Sequence, residues 1–131
     1  MINAKAELHA TLPEGLYIIA AVVEYLPYRR KGVNKTVLLP KGHTAEQLEV
    51  FIDSLDFDYD NGYGTQELYG TVWLSDGSWL MRGEYDGSEW WEHLFPPPIP
   101  PELAGEYDGS EWWEPLFPPP IPPELAGEVL S

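Results

Sequence analysis

Cysteine is absent from the 131 residues, so the chain has neither a disulfide framework nor a thiolate metal site. Long apolar runs are lacking too, because no stretch approaches the roughly 18 residues that a membrane-spanning helix needs. The first 15 residues do not show the charged and then apolar segments of a signal peptide. We therefore expect a cytoplasmic protein without membrane contacts, whose fold depends on packing and hydrogen bonds.

Positive charge is scarce and unevenly placed. Residues 83–131 hold 11 acidic residues and no lysine or arginine, whereas residues 1–82 hold 11 acidic residues and all 7 bases. The formal net charge is −15. A field of this sign opposes contact with nucleic-acid phosphates and anionic membranes, so we expect no nucleic-acid binding. It suits a basic protein partner, although acidity can also serve solubility alone.

Strand patterns dominate the first 95 residues. Residues 16–26 are apolar on both faces and lie between Gly15 and Pro27, which favours a central buried strand, with a helix as the alternative. Residues 5–12 alternate loosely and predict a preceding strand, and residues 36–39 predict the strand that follows. Three more strands are expected over 67–74, 79–85 and 88–94, because Asp-Gly turns separate their apolar runs.

A single helix is expected between these two groups of strands. Thr44 and Gln47 form a capping box, and Leu48 and Phe51 begin an apolar series at helical spacing, so the sequence predicts a helix over about 45–55. The predicted fold is therefore of the α+β class. It has a mostly antiparallel sheet of about six strands with one helix on one face, followed by a proline-rich C-terminal arm that is tandemly duplicated.

The duplication is the most unusual feature of the sequence. Residues 83–104, the first copy, recur as residues 105–126, the second copy, with one difference in 22 positions: His93 becomes Pro115. We expect a domain over 1–104, a duplicated segment over 105–126 and a short end over 127–131. Because proline cannot donate a ladder hydrogen bond, the first copy is expected to form the integral strand and strap, and the second to be peripheral or exchanged.

The second copy has three possible fates. It can dock on or exchange with another chain, form an edge hairpin in its own chain, or stay solvated, and its apolar side chains favour association. The basic residues near position 30 offer an acidic segment a place to bind, in the same chain or in another. The expected binding residues are Tyr107, Trp112, Trp113, Phe117, Pro118, Pro119, Pro120, Ile121, Arg29, Arg30 and Lys31.

The arm itself reads Pro-Pro-Pro-Ile-Pro-Pro-Glu-Leu in both copies. Such a segment favours polyproline II geometry and ends the regular sheet. One interpretation is a ligand for domains that read polyproline with aromatic grooves, such as SH3, WW and EVH1 domains. The other interpretation is packing on tyrosine and tryptophan within the same chain.

An acidic loop follows the predicted helix. Its carboxylates have the spacing of loop positions 1, 3, 5 and 12 in an EF-hand, which this loop resembles. The loop departs from that pattern because Asn61 takes the glycine position and a strand follows, so an ordinary acidic turn is the alternative. The residues expected to bind Ca²⁺ are Asp56, Asp58, Asp60 and Glu67. We expect no other cofactor and no enzymatic activity, since the three histidines are far apart and no phosphate loop occurs.

Residues 58–92 contain the run Tyr-Asp-Gly-Ser-Glu-Trp-Trp. This stretch resembles small uncharacterised proteins of phages and prophages that carry the same signature. The resemblance implies an accessory or host-interaction role, in the host cytoplasm if the chain is phage-encoded. The tandem second signature departs from the pattern.

Two functions are therefore expected from the sequence. The first is a non-enzymatic phage-type accessory protein that acts through protein contacts, with the duplicated segment promoting self-association or segment exchange. The alternative is an acidic inhibitor or mimic that binds a basic host protein.

Overall fold

A computed structural model describes residues 1–27, 33–62, 65–95, 119–122 and 125. Two helices occur in these ranges, α1 (Ala4–Thr11) and α2 (Ala45–Ser54). The strands of the same ranges are β1 (Ile2–Asn3), β2 (Ile18–Tyr25), β3 (Lys35–Leu39), β4 (Asp58–Tyr59), β5 (Leu68–Leu74), β6 (Trp79–Tyr85) and β7 (Ser88–Leu94).

Five of these strands form one antiparallel sheet in the order β3, β2, β5, β6, β7. Strands β1 and β4 pair separately as a two-stranded antiparallel sheet. The prediction of a mostly antiparallel sheet is confirmed. The predicted six-stranded sheet is replaced by this five-stranded sheet and a small second one, and the single predicted helix by two.

Strand β2 is buried on both faces, as its sequence predicts. Ala21 and Val23 belong to the main core, whereas Ala20 and Val22 face the opposite side of the sheet. The register with β5 shifts between Ile18 and Ala20, so the strand is irregular there. The strand therefore contributes apolar surface to both sides of the sheet.

Strands β2 and β5 approach each other closely, and this approach requires a glycine in β5. Gly70 pairs with Val23 and has a φ of +154°. A Cβ at position 70 would lie 2.3 Å from the carbonyl oxygen of Val22, which is too short for any side chain. Glycine at this position therefore allows β2 and β5 to pair.

Helix α2 begins as the capping box predicts. The Thr44 hydroxyl accepts from the Gln47 amide at 3.1 Å, and the Gln47 side chain accepts from the Thr44 amide at 2.8 Å. Phe51 on its inner face is buried in the main core. The predicted helix over 45–55 is confirmed to within one residue.

The predicted strand over 5–12 is wrong, because these residues form most of helix α1. Asn3 caps this helix by accepting a hydrogen bond from the Ala6 amide at 2.9 Å. Ala4 and Leu8, four residues apart, are its buried side chains. The loose alternation of these residues favours a strand, but two helical signals outweigh it. These are the helix propensity of the alanine, lysine and glutamate residues and the cap at Asn3.

Two tight hairpins join the last three strands. In the first, Asp76 accepts from the Ser78 amide at 2.9 Å and from the Ser78 hydroxyl, and these bonds hold the pKa of Asp76 below its usual value. In the second, Asp86 and Gly87 have φ angles of +52° and +90°, as a two-residue hairpin turn demands. Both predicted Asp-Gly hairpins are confirmed.

The two faces of the sheet are covered differently. Both helices pack on one face, where Leu8, Phe51 and Leu55 join the main core. On the other face, Ala20, Trp73 and Leu125 form a second, smaller cluster. Among the described residues, no helix is long and apolar enough to cross a membrane.

Candidate functional site

The second apolar cluster is a groove on the sheet face opposite the helices. Trp73 of β5 stands on this face because its neighbours along the strand, Val72 and Leu74, point into the main core. Its register partner on β2 is Ala20, which has no side chain beyond Cβ and leaves room above the sheet. We call Ala20, Val22, Lys41 and Trp73 the strap groove.

A segment of the second copy occupies this groove. We call Pro119–Pro122 together with Leu125 the strap. The indole Nε1 of Trp73 donates to the carbonyl oxygen of Pro119 at 2.7 Å. Proline has no N–H, so the carbonyl group is the only backbone hydrogen-bonding group that such a residue offers.

Two aliphatic side chains anchor the strap. Leu125 is only 2% exposed and packs with Ala20 and Trp73, and Ile121 packs against the same cluster beside Val22. Full burial of a leucine side chain stabilises a contact by about 1.5–3 kcal/mol. The strap is therefore held by apolar burial at two positions four residues apart and by a hydrogen bond near its start.

The end of the strap is fixed at the far side of the sheet. The amide of Lys41 donates to the carbonyl oxygen of Leu125 at 2.6 Å, and the Leu125 amide donates to the Pro122 carbonyl at 2.9 Å. Because Lys41 follows β3, the strap runs from β5 across β2 to the end of β3. An indole donor and small apolar residues are what a groove for proline-rich segments needs.

A second polar arrangement lies inside the main core. Arg82 of β6 donates through Nη2 to Glu89 Oε1 at 2.7 Å and through Nη1 to Glu7 Oε1 at 3.2 Å. The side chains of Arg82, Glu89 and Glu7 are 2%, 0% and 10% exposed. The ring of Trp91 covers the guanidinium at 4.9 Å. We call Arg82, Glu7, Glu89 and Tyr59 the buried ionic network.

Each carboxylate of this network is satisfied from several sides. Glu89 also accepts from the amides of Glu67 at 2.7 Å and Leu68 at 3.0 Å. The hydroxyl of Tyr59 donates to Glu7 and accepts from Arg82 Nη2 at 2.7 Å. Burial and the hydrogen bond to Glu7 raise the pKa of Tyr59 far above its usual value. Such a closed set of partners suits a structural role that ties α1, β4, β5, β6 and β7 together.

A cavity of about 640 Å³ lies between α1, α2 and the start of β2. Its apolar lining comes from Leu12, Leu16, Ile18, Leu48 and Ile52. Several of its polar lining groups are already paired: Asn3 donates to Asp56 at 2.9 Å, and Lys5 pairs with Asp53 at 3.1 Å. The cavity has the volume of a small-molecule site, but these pairs leave it few free polar groups with which to orient a ligand.

The four predicted calcium ligands are all described. Asp56 and Asp58 both accept from the amide group of Asn3, and Asp60 accepts from the Gly62 amide at 3.1 Å. Asp58 lies in β4, so the loop does not wind around one centre there. Within residues 1–27, 33–62, 65–95 and the described part of the strap, no group of three or more acidic, histidine or cysteine side chains is placed to hold a metal. Calcium binding stays a prediction.

Three of the predicted binding residues are described, and they lie in the strap: Pro119, Pro120 and Ile121. The structure brings Pro119 to Trp73, which the sequence interpretation did not select, and Leu125 of the same strap to Lys41, a member of the basic cluster that the sequence indicates. Trp73 could have been found from its place in a strand next to Val72, since alternation puts it on the outer face. The predicted residues outside the described ranges are Tyr107, Trp112, Trp113, Phe117, Pro118, Arg29, Arg30 and Lys31.

The strap described here comes from the second copy, although the first copy was expected to supply it. The first copy does supply strand β7, as expected, and its own proline arm over 96–104 lies outside the described residues. Within the described residues, the last strand therefore comes from the first copy and the strap from the second.

Comparisons with known proteins give no further guide to this site. No family model matches the chain, no curated protein resembles it, and no solved structure matches its fold.

Proposed function

We propose that this chain is a non-enzymatic accessory protein of the phage type that acts through protein contacts, and that its duplicated segment promotes self-association by segment exchange. One observation carries the proposal: a single groove holds Pro119–Pro122 and Leu125, and the seven-residue sequence to which they belong occurs again in the same chain as Pro97–Leu103. Each chain therefore has one groove and two segments that fit it.

A surplus segment favours contacts between chains. The strap buries Leu125 almost completely, so an equivalent segment without a groove leaves a similar apolar surface in water. A groove on a neighbouring chain can take this segment when it releases its own, so the two copies allow exchange between chains without leaving a groove empty. The 22-residue repeat can span about 70 Å when extended, which is far enough to reach such a neighbour.

The absence of enzymatic activity is part of the proposal, and the state of the described polar groups supports it. The buried ionic network uses its carboxylates on backbone amides, Arg82 and Tyr59 rather than leaving them free for a substrate. The strap groove offers one indole N–H and one backbone amide, which bind a carbonyl group but do not transfer protons readily.

The test compares the molar mass of three chains by sedimentation over a 100-fold range of concentration. The full chain is expected to grow in mass as concentration rises. A chain without residues 105–126 has one strap for one groove and is expected to stay monomeric. The matched control lacks residues 83–104 instead, and it differs from the first deletion only by proline in place of His93.

A full chain that stays monomeric throughout, like both deletions, contradicts the proposal. That outcome favours the alternative drawn from the net charge of −15, an acidic protein that binds a basic partner. Equal association of all three chains also contradicts it, because the duplication is then not the cause.

A further inference from the structure

A row of register partners leads from the end of β7 directly to the strap groove. Leu94 pairs with Trp79, and Trp79 pairs with Trp73. All three residues stand on adjacent strands, so Leu94 lies two strand spacings from Trp73, or about 10 Å.

The first copy can cover this distance with its own arm. Pro97 follows Leu94 by three residues, and three extended residues span about 10 Å. Pro97 corresponds in the repeat to Pro119, whose carbonyl group accepts from Trp73. The geometry therefore allows the arm of the first copy to start at the place where the strap of the second copy starts.

We propose that the strap groove is a recognition site for the sequence Pro-Pro-Ile-Pro-Pro-Glu-Leu, and that Pro97–Leu103 and Pro119–Leu125 are alternative ligands for it. The inference rests on the proposed function and names its site and ligand. Every group that the groove contacts in the strap has an identical counterpart in the first copy: Pro97 for the indole, Ile99 and Leu103 for the apolar cluster, and Leu103 again for the Lys41 amide.

Only one ligand can bind at a time, because the cluster around Ala20 and Trp73 holds one leucine. The two ligands differ in tether: three residues separate Leu94 from Pro97, and 25 separate it from Pro119. The same site consequently admits a ligand from its own first copy, its own second copy or a neighbouring chain.

Substitutions in the full chain test whether the two ligands replace each other. One variant carries Ile99→Ser and Leu103→Ser, a second carries Ile121→Ser and Leu125→Ser, and a third carries all four. Each pair alone is expected to lower Tm by less than about 3 °C, because the intact ligand takes the groove. All four together are expected to lower Tm by about 5–15 °C, since no ligand then remains.

The opposite pattern overturns the inference. If the Ile121 and Leu125 pair alone lowers Tm by about 5–15 °C while the Ile99 and Leu103 pair does not, then Pro97–Leu103 cannot replace the strap. The comparison between the two pairs needs only the chains with one intact ligand, so it decides the question even if the fourfold variant fails to fold.

A direct binding measurement uses the fourfold variant and a fluorescent peptide, Pro-Pro-Pro-Ile-Pro-Pro-Glu-Leu-Ala-Gly. Fluorescence anisotropy is expected to show saturable binding, and at least about tenfold weaker binding when serine replaces both isoleucine and leucine in the peptide. Adding Trp73→Phe to the protein is expected to weaken binding by about 2- to 12-fold through loss of one hydrogen bond. If the fourfold variant has the circular dichroism spectrum of the folded chain but does not bind the peptide, the inference is contradicted.

The two proposals fail separately. If the full chain stays monomeric and the peptide binds, the recognition site is supported and self-association is contradicted. If the full chain associates, the peptide does not bind and the two pairs of substitutions differ in their effect on Tm, the recognition site is contradicted. The association then depends on another part of the repeat.

Discussion

The guanidinium of Arg82 donates to the carboxylate of Glu89 at 2.7 Å, and neither side chain is more than 2% exposed. Glu89 belongs to the first copy, so the repeat contributes a fully buried charge to the core. Through Glu7, Tyr59 and the amide of Leu68, this pair links α1, β4 and β5 to the β6–β7 hairpin. A buried ion pair of this kind is sensitive to the loss of one partner.

Arg82→Met is expected to reduce the free energy of unfolding by about 3–5 kcal/mol, because it leaves Glu7 and Glu89 buried without their cation. Urea denaturation followed by circular dichroism measures this loss. The control is Lys5→Met, which breaks the exposed pair with Asp53 and is expected to cost less than about 1 kcal/mol. Similar losses in the two variants would show that the network contributes no more than a surface pair.

Trp73→Phe is expected to destabilise the chain by about 1 kcal/mol more than Trp79→Phe does. The two residues are register partners on adjacent strands and both are buried. The indole of Trp73 donates to Pro119, whereas the indole N–H of Trp79 has no hydrogen-bond partner among the described residues. The loss of ring volume is the same, so the difference between the two urea midpoints isolates the bond to the strap. Equal midpoints would mean that this bond adds nothing to stability.

The direction of the backbone amides in β7 determines the effect of proline at position 93, which is the single difference between the two copies. The Glu89 amide donates to Asn61 at 2.8 Å, on the side of β7 away from β6. Amides of a strand alternate in direction, so the amide of His93 also points away from β6. Proline at this position therefore removes no bond of the β6–β7 ladder, and among the described strands β7 lies at the edge of the sheet.

His93→Pro is therefore expected to cost no more than about 1.5 kcal/mol, from loss of the 2.8 Å contact with Ser78 and the ring contact with Phe95. Glu92→Pro is the matched control, because the Glu92 amide points toward β6, and it is expected to cost at least twice as much. Chemical denaturation compares both with His93→Ala. If His93→Pro unfolds the chain as Glu92→Pro does, the second copy cannot take the place of β7.

Stability is expected to fall above about pH 10 because of Tyr59. The folded state raises the pKa of this phenol, so above pH 10 an unfolded tyrosine ionises while the folded one keeps its proton. The unfolded state is then favoured, by up to about 1.4 kcal/mol for each pH unit. Below pH 10 both states hold the proton, and this contribution to stability is fully present.

Urea midpoints between pH 8 and pH 11 measure the effect. Tyr59→Phe is expected to show a smaller alkaline loss than the unaltered chain. The control is Tyr85→Phe, which removes a phenol that is 77% exposed and is expected to retain the loss. An unchanged alkaline loss in Tyr59→Phe would contradict the assignment to Tyr59.

Features encoded by local sequence were predictable. The capping box at Thr44 and the Asp-Gly turns fixed α2 and the last hairpins, because each depends on a few neighbouring residues. Helix α1 was missed because only Ala4 and Leu8 of its eight residues are buried, which leaves a weak helical pattern. Its signal was Asn3 before a run of good helix formers.

The strap groove and the buried ionic network are formed by residues far apart in sequence, so no local sequence pattern predicts them. The arm was expected to pack on tyrosine or tryptophan. Strand alternation puts Trp73 on the outer face of the sheet but does not show that the strap lies there, and nothing in the sequence pairs Leu125 with Lys41. The buried ionic network joins positions 7, 59, 82 and 89. Its one early sign was Arg82, the single basic residue of a strand that begins with three apolar residues.

Glu89 completes a network whose first member is Glu7, so the core closes only when the first copy has been synthesised. Its counterpart Glu111 follows 22 residues later, which at about 5–20 residues per second is a delay of roughly 1–4 s. A hairpin such as β6–β7 forms within about 1–10 μs. The first copy leaves the ribosome before the second, so the order of synthesis lets it pair with β6 before the second copy is free to compete for that place.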